Sequence, residues 1–211
     1  MMKVNDYLDK AKMIADTCAT MYMQGGHGHS LTWNNTFNEL IRDYSWNTKH
    51  EAELREQFDV LKKDHPFAFD CCGLIKGIIW GFDADYGEYG GGTVYQSNGL
   101  LDNNAEGLLE HYGYDVSDKF DYIMPGEMLY MKGHCGIYMG DGKVIEATPK
   151  WQSKVQWTLL SDRKWLKHCK LSVIDYSKEE TDKPVMYIGF DCPHCGKSTV
   201  LQVLTKVDKG V

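Results

Sequence analysis

The chain has 211 residues, of which 43% are hydrophobic and 25% are charged, a composition typical of a soluble globular protein with one good core. Its 30 acidic residues outnumber its 23 Lys and Arg residues, and the net charge of −7 argues against nucleic acid or an anionic membrane as the main partner. No stretch approaches the roughly 18 apolar residues of a membrane span, which argues against stable membrane insertion.

Two further features bear on the compartment in which the chain works. Residues 1–9 are polar and carry two acids, unlike a signal peptide, so we expect synthesis in the cytoplasm and export, if any, outside the standard secretory route. The seven cysteines are an odd number without a disulfide-like spacing, and this predicts reduced thiols.

The N-terminal part of the chain is predicted to be helical and then glycine-rich. Apolar residues recur at helical spacing through residues 3–23, which indicates an amphipathic helix that ends at Gly25 and Gly26. His27 and His29 follow; they could ligate a metal or line a substrate groove. Residues 33–50 are polar and aromatic, and they admit two interpretations: the rim of a groove, or a plain surface helix and loop.

The stretch 69–80 has the features of a helix that carries an activated thiol. Asp70 is a good N-cap, which places Cys71 in the first turn, and Leu74 begins a run of apolar residues at helical spacing. The partial positive charge of a helix N-terminus favours a thiolate over a thiol, as a cysteine nucleophile requires. The alternative is a buried helix with two structural cysteines, Cys71 and Cys72.

A β-hairpin is predicted over residues 133–147, around the turn residues Gly140, Asp141 and Gly142. With a three-residue loop, His134 and Glu146 share one face and lie within hydrogen-bonding reach, while Cys135 lies on the opposite, apolar face. A two-residue loop would place His134 and Glu146 on opposite faces.

The C-terminal part is predicted to add strands at 155–160 and 165–175, which gives an α+β domain: an antiparallel sheet with the Cys71 helix packed on it. Residues 177–184 are charged and unpatterned and are predicted to be a linker. In the hairpin predicted for 185–211, Cys192 and Cys195 form a zinc-knuckle-like turn, but a second ligand pair is missing. Either another chain completes a zinc site, or packing alone holds the hairpin.

Three blocks, FDCCGLIKG, HCGIYMGDGKVIEATPKW and WLKHCKL, resemble the NlpC-type papain-like cysteine peptidases, which are related to the CHAP peptidases. The resemblance covers about residues 7–176 and is closest to phage and prophage endolysins of Gram-positive bacteria. It implies a papain-like fold with Cys71 as nucleophile, His134 as base and Glu146 as third residue. Cys72 stands where many members have Ser or Val, and Gln24 replaces a family Trp. The family pattern places the nucleophile directly after Asp, and Cys72, about 100° around the helix, is expected to face the core.

The resemblance therefore predicts a peptidoglycan hydrolase in residues 1–176 that cleaves a stem-peptide amide and needs no cofactor for catalysis. It would act on the cell wall after phage-type release, with peptidoglycan as its partner. Two alternatives stay open: a thiol amidase or acyltransferase acting on a protein or lipid, and a non-catalytic phage structural module. The predicted substrate-binding residues are Tyr22, Asp70, Cys72 and Trp151.

Overall fold

The computed structural model describes residues 1–177, 186–191 and 198–203. Contacts divide the chain into two units, Met1–Tyr176 and Ser177–Val211. The six helices of the described residues are α1 (Val4–Thr17), α2 (Thr36–Asp43), α3 (Ser45–Lys49), α4 (Glu51–Leu61), α5 (Cys71–Ile79) and α6 (Ala105–Tyr112). Short 3₁₀ turns lie at Lys62–Asp64, Phe120–Tyr122 and Leu160–Asp162.

The strands of the first unit form three sheets. They are β1 (Met2–Lys3), β2 (Thr20–Tyr22), β3 (His27–Ser30), β4 (Phe67–Phe69), β5 (Gly113–Ser117), β6 (Met128–Met131), β7 (His134–Gly140), β8 (Lys143–Thr148), β9 (Lys154–Leu159), β10 (Lys167–Leu171) and β11 (Ile174–Asp175). The main sheet is antiparallel, in the order β5-β10-β6-β7-β8-β9. A smaller sheet has the order β2-β4-β3, and β1 pairs with β11.

The second unit is described only as two strands. β12 (Met186–Asp191) and β13 (Ser198–Val203) pair in antiparallel fashion, with Met186 opposite Val203. The predicted linker falls largely outside the described residues, and Cys192 and Cys195 lie wholly outside them. Within the described residues, no helix combines the length and the apolar character that crossing a bilayer requires.

Helix α5 packs on β7 and β8 at the centre of the larger core, so the mixed α+β architecture predicted from the sequence is confirmed. Leu74, Ile75 and Ile78 are fully buried, and each such side chain contributes about 1.5–3 kcal/mol relative to exposure. Gly73 allows another segment to approach α5 closely, since a Cβ there would lie 1.7 Å from the carbonyl oxygen of Gly26. The backbone that leads into β3 is thereby held against the start of α5.

One predicted boundary is wrong, and the structure decides the length of the hairpin loop. The helix predicted for residues 3–23 ends at Thr17, and residues 20–22 instead form β2, which pairs in parallel with β4. The hairpin turn has the shorter of the two loops considered, the two-residue loop of Asp141 and Gly142. Ile137 nevertheless faces Ile145 as predicted, because a bulge at Met139 inserts one residue and restores the parity.

Candidate active site

Asp70 fixes the start of α5 and therefore the position of Cys71. Its side chain accepts hydrogen bonds from the backbone N–H of Gly73 (2.6 Å) and of Gly25 (2.8 Å), so the predicted N-cap is confirmed. The second bond ties the loop after β2 to the first turn of the helix. Burial, and next the charge of Cys71, raise the pKa of Asp70 to about 6, although the two backbone hydrogen bonds oppose the rise.

His134 and Glu146 meet on one face of the main sheet. The distance from His134 Nε2 to Glu146 Oε2 is 2.5 Å, so Nδ1 is the ring nitrogen left for Cys71. The ring of Trp165 stacks on the imidazole at a centroid distance of 5.7 Å and an interplanar angle of 17°. The orientation of the imidazole is thus set by a carboxylate at one edge and an aromatic ring on one face.

Glu146 is a fully buried carboxylate with three partners. Besides His134, it accepts a hydrogen bond from Thr158 Oγ1 (2.7 Å to Oε1), and Arg163 Nε lies 2.7 Å from Oε2. Arg163 Nη2 also donates to Thr148 Oγ1 at 2.7 Å, which anchors the guanidinium. An isolated carboxylate would be costly to bury, and this set of partners compensates for the lost hydration.

The electrostatics of the three residues favour a thiolate–imidazolium pair. Hydrogen bonds from the Cys135 and Cys72 thiols, followed by those from His134 and by its charge, hold the pKa of Cys71 well below its usual value despite burial. Burial acts to lower the pKa of His134, but hydrogen bonds to Cys71 and Glu146 outweigh it and the pKa is raised. Burial acts to raise the pKa of Glu146, but the interactions with His134, Arg163 and Thr158 lower it.

Cys71 has two further thiols beside it. The Sγ atoms of Cys71 and Cys72 are 3.8 Å apart, and those of Cys72 and Cys135 are 3.6 Å apart. Cys72 is buried against the core, as the helical angle predicted, and Cys135 lies on the apolar side of β7. The five cysteines in the described residues are free thiols.

A cleft of about 1290 Å³ opens over Cys71 and Cys72. Tyr22 and Asp70 line it as well, so three of the four predicted substrate-binding residues reach it. Burial, and then the charges of Cys71 and Asp70, raise the pKa of Tyr22, whose phenol therefore stays neutral.

The cleft wall also bears on two alternatives left open by the sequence. His27 and His29 both line the cleft, which matches their interpretation as groove residues. Part of the polar, aromatic segment 33–50 forms the rim, including Trp33 and Tyr44. That segment is therefore more than a plain surface helix and loop.

Trp151, the fourth residue predicted to bind substrate, does not line the cleft. Half of its surface is exposed, and its ring lies 4.3 Å from Lys150 Nζ and 5.0 Å from Arg163 Cζ. It adopts a left-handed backbone conformation, with φ of 64°, in the turn between β8 and β9. Its place beneath two cations makes it a support for Arg163 rather than a cleft residue.

The sequence did not predict roles for Thr158, Arg163 or Trp165. Thr158 could have been found from strand register: β9 places Gln156 opposite Glu146, and Thr158 is therefore diagonal to Glu146 on the same face. Arg163 and Trp165 follow a 3₁₀ turn, and no spacing in the sequence points them towards Glu146 or His134.

A cysteine at a helix N-terminus, paired with a histidine and a carboxylate on an antiparallel sheet, defines the papain-like class of thiol hydrolase sites. The model of the NlpC/P60 family matches residues 42–173, and the chain belongs to that family. The matched range includes Cys71, His134 and Glu146, whereas Tyr22 lies before it. Family membership supports the general activity of a cysteine peptidase or amidase of the cell wall. No curated protein matches the chain.

Proposed function

We propose that the protein is a peptidoglycan hydrolase of the endolysin type, which cleaves an amide bond of the stem peptide. Cys71 is the nucleophile, His134 the base, and Glu146 the residue that orients His134. The observation that carries the proposal is the 2.5 Å bond between His134 and the buried Glu146, together with the effect of the same imidazole in lowering the pKa of Cys71. NlpC/P60 membership supports the cell wall as the place of action, while the endolysin role rests on the resemblance of the three sequence blocks.

In the proposed mechanism, the Cys71 thiolate attacks the amide carbonyl carbon and forms a tetrahedral intermediate. The backbone N–H of Cys71, at the start of α5, helps to hold the oxyanion, and one such donor can be worth about 3 kcal/mol. His134 gives its proton to the leaving amine, and the C–N bond breaks. His134 then takes a proton from water, which attacks the thioester. This step releases the carboxylic acid product and the Cys71 thiolate and restores the thiolate–imidazolium pair.

The charge of the cleft supports a substrate with free amino groups. Among the described residues, six carboxylates and one lysine, Lys76, line it. A peptide with an unblocked amine or a basic side chain would be attracted to such a surface, whereas an anionic polymer would be repelled. The six carboxylates belong to Glu39, Asp43, Asp70, Glu88, Asp102 and Glu106.

The first test is the loss of turbidity of peptidoglycan suspensions from several Gram-positive bacteria, with mass spectrometry of the released fragments. We expect wild type to release soluble stem-peptide fragments with new amine and carboxyl ends. Cys71→Ala should abolish release, and Cys72→Ala should reduce it much less. Cys18→Ser, which alters a thiol outside the site, is the matched control.

The failures of this test separate the alternatives. If wild type releases nothing from any wall, peptidoglycan is not the substrate. Alkylation of Cys71 by iodoacetamide at mildly acidic pH then distinguishes the two alternatives. If Cys71 reacts, the protein is a thiol amidase or acyltransferase that acts on another amide. If Cys71 stays protonated and unreactive, the protein is a non-catalytic module.

A further inference from the structure

Three buried thiols converge beneath the cleft, and acyl transfer uses only one of them. Cys71 and Cys72 open α5, and Cys135 lies on β7. Their Sγ atoms all lie within 4.8 Å of one another, and the residues are 8%, 6% and 0% exposed, respectively. Because Cys71 and Cys72 line the cleft, a small ion can reach the sulfur atoms from solvent.

The spacing of the sulfur atoms matches that of a bound thiophilic cation. With a zinc–sulfur bond of about 2.3 Å and tetrahedral to trigonal angles, two sulfur ligands lie about 3.8–4.0 Å apart. The measured separations are 3.8 Å for Cys71 and Cys72 and 3.6 Å for Cys72 and Cys135. The third pair, Cys71 and Cys135, lies within 4.8 Å, so a modest approach of these two sulfurs would bring all three onto one ion. Soft thiolate ligands favour zinc and related metals over magnesium or calcium.

We propose that Cys71, Cys72 and Cys135 form a binding site for a thiophilic divalent cation such as Zn²⁺ or Cd²⁺. The ion bonds to the Cys71 thiolate and to the sulfurs of Cys72 and Cys135, whose two protons are released to solvent. Since the Cys71 lone pair is then held by the metal, the bound form is inactive and removal of the ion restores the nucleophile. The claim that the cysteines bind metal is independent of the proposed function, whereas the claim that the metal inhibits the enzyme rests on the proposed function.

Binding is tested with Cd²⁺ on the full chain, in a phosphine reductant. All proteins carry Cys192→Ser and Cys195→Ser, so that the C-terminal thiols contribute nothing. Isothermal titration and native mass spectrometry should give one Cd²⁺ per chain, with thiolate-to-metal charge-transfer absorption in the ultraviolet. Cys135→Ala should weaken binding more than about 100-fold, since even the loss of groups that only support a ligand costs 10- to 100-fold.

Cys169→Ala is the matched control, because Cys169 is also a fully buried thiol but lies on β10, outside the cluster. Its Cd²⁺ affinity should equal that of the parent protein. Cys72→Ala removes a different sulfur from the cluster and replaces Cys135→Ala if circular dichroism shows that Cys135→Ala does not fold. The proposal is overturned if the parent binds no Cd²⁺, or if a folded Cys72→Ala or Cys135→Ala variant binds it as tightly as the parent.

Blocking of the nucleophile is measured without any cell-wall substrate. Cd²⁺ or Zn²⁺ should stop the alkylation of Cys71 by iodoacetamide, read by peptide mass spectrometry, and a chelator should restore it. Alkylation that continues at saturating metal would refute the inhibition. A protein that binds metal but lyses no wall after a chelator has removed the ion would contradict the peptidoglycan proposal and leave the metal site standing.

Discussion

Acidification from pH 7 to pH 5 should destabilise the protein through two histidines of β3. His27 and His29 are in ring contact, with centroids 4.0 Å apart, and both lie in the cleft wall. Burial, and next the charge of Lys76, lower the pKa of His27 to about 4. Burial, and next the charge of His27, lower the pKa of His29 to about 3. Both rings are therefore neutral in the native protein at pH 5.

The sign and size follow from the unfolded chain, in which a histidine has a pKa of about 6.5. Because the folded pKa is the lower one, the unfolded state binds more protons below pH 6.5, and stability falls as the pH falls. Each histidine should lower the free energy of unfolding at pH 5 by about 2 kcal/mol, because pH 5 lies about 1.5 units below the unfolded pKa and each unit is worth about 1.4 kcal/mol. Asp70 acts in the opposite direction. Because its folded pKa of about 6 lies above the unfolded value, its protonation at pH 5 raises the free energy of unfolding by about 1.4 kcal/mol.

The assay is urea unfolding at pH 7 and pH 5 of wild type, His29→Gln and His111→Gln. His29→Gln should lose about 2 kcal/mol less than wild type between the two pH values, because the other groups cancel in the difference. His111 is exposed on α6, and its replacement should leave the wild-type pH dependence unchanged. If wild type and His29→Gln lose the same free energy, the burial of a neutral His29 is not the cause of acid lability.

Three further predictions concern the site and its support. Glu146→Gln should lower kcat of wall hydrolysis about 10²- to 10⁴-fold with little change in KM, because the amide cannot stabilise the imidazolium as a carboxylate does. Both constants are measured by fragment release. A rise in KM as large as the loss in kcat would contradict this prediction. Arg163→Met should lower the free energy of unfolding, measured in urea, by about 3 kcal/mol, because the substitution leaves the buried Glu146 without its guanidinium partner. A loss below about 1 kcal/mol would refute the prediction. Gly73→Ala should lower the free energy of unfolding by about 3 kcal/mol or more, because the new Cβ would meet the backbone of Gly26. Gly133→Ala is the control: with φ of 70° and open space around it, it should lower the free energy of unfolding by only about 1–2 kcal/mol. Equal losses in the two variants would contradict the close approach of Gly26 to α5.

The sequence was sufficient to predict the elements that carry Cys71, His134 and Glu146. An N-cap before an apolar helix and a glycine-rich turn between two alternating strands are local patterns, and both were confirmed. The loop length stayed open, because the Gly140–Gly142 segment is compatible with two or three loop residues. The expectation that a two-residue loop separates His134 from Glu146 was wrong. Only the bulge at Met139 decides which face each side chain takes, and the formation of a bulge depends on what the strand packs against.

Trp151 illustrates a different limit of prediction from sequence. An exposed aromatic residue at the end of a hairpin is a reasonable candidate to stack on a substrate, and the sequence gives no indication against it. The left-handed conformation of Trp151 directs the ring towards Lys150 and Arg163 instead. Such a conformation is uncommon for a bulky residue, and a tryptophan in sequence gives no warning of it.

The partners of the buried charges were the least predictable part of the site, and the reason is physical. Asp70, Lys76 and Glu146 are each specified locally, by a cap, a helix position and a strand position. Each must be compensated because it is buried, and the compensating group is whichever segment the fold brings alongside. For Lys76 that group is Asp102, 26 residues later, and for Glu146 it includes Arg163, beyond a 3₁₀ turn. Burial of a charge in a site thus implies that a partner exists, whereas its identity follows only from the tertiary structure.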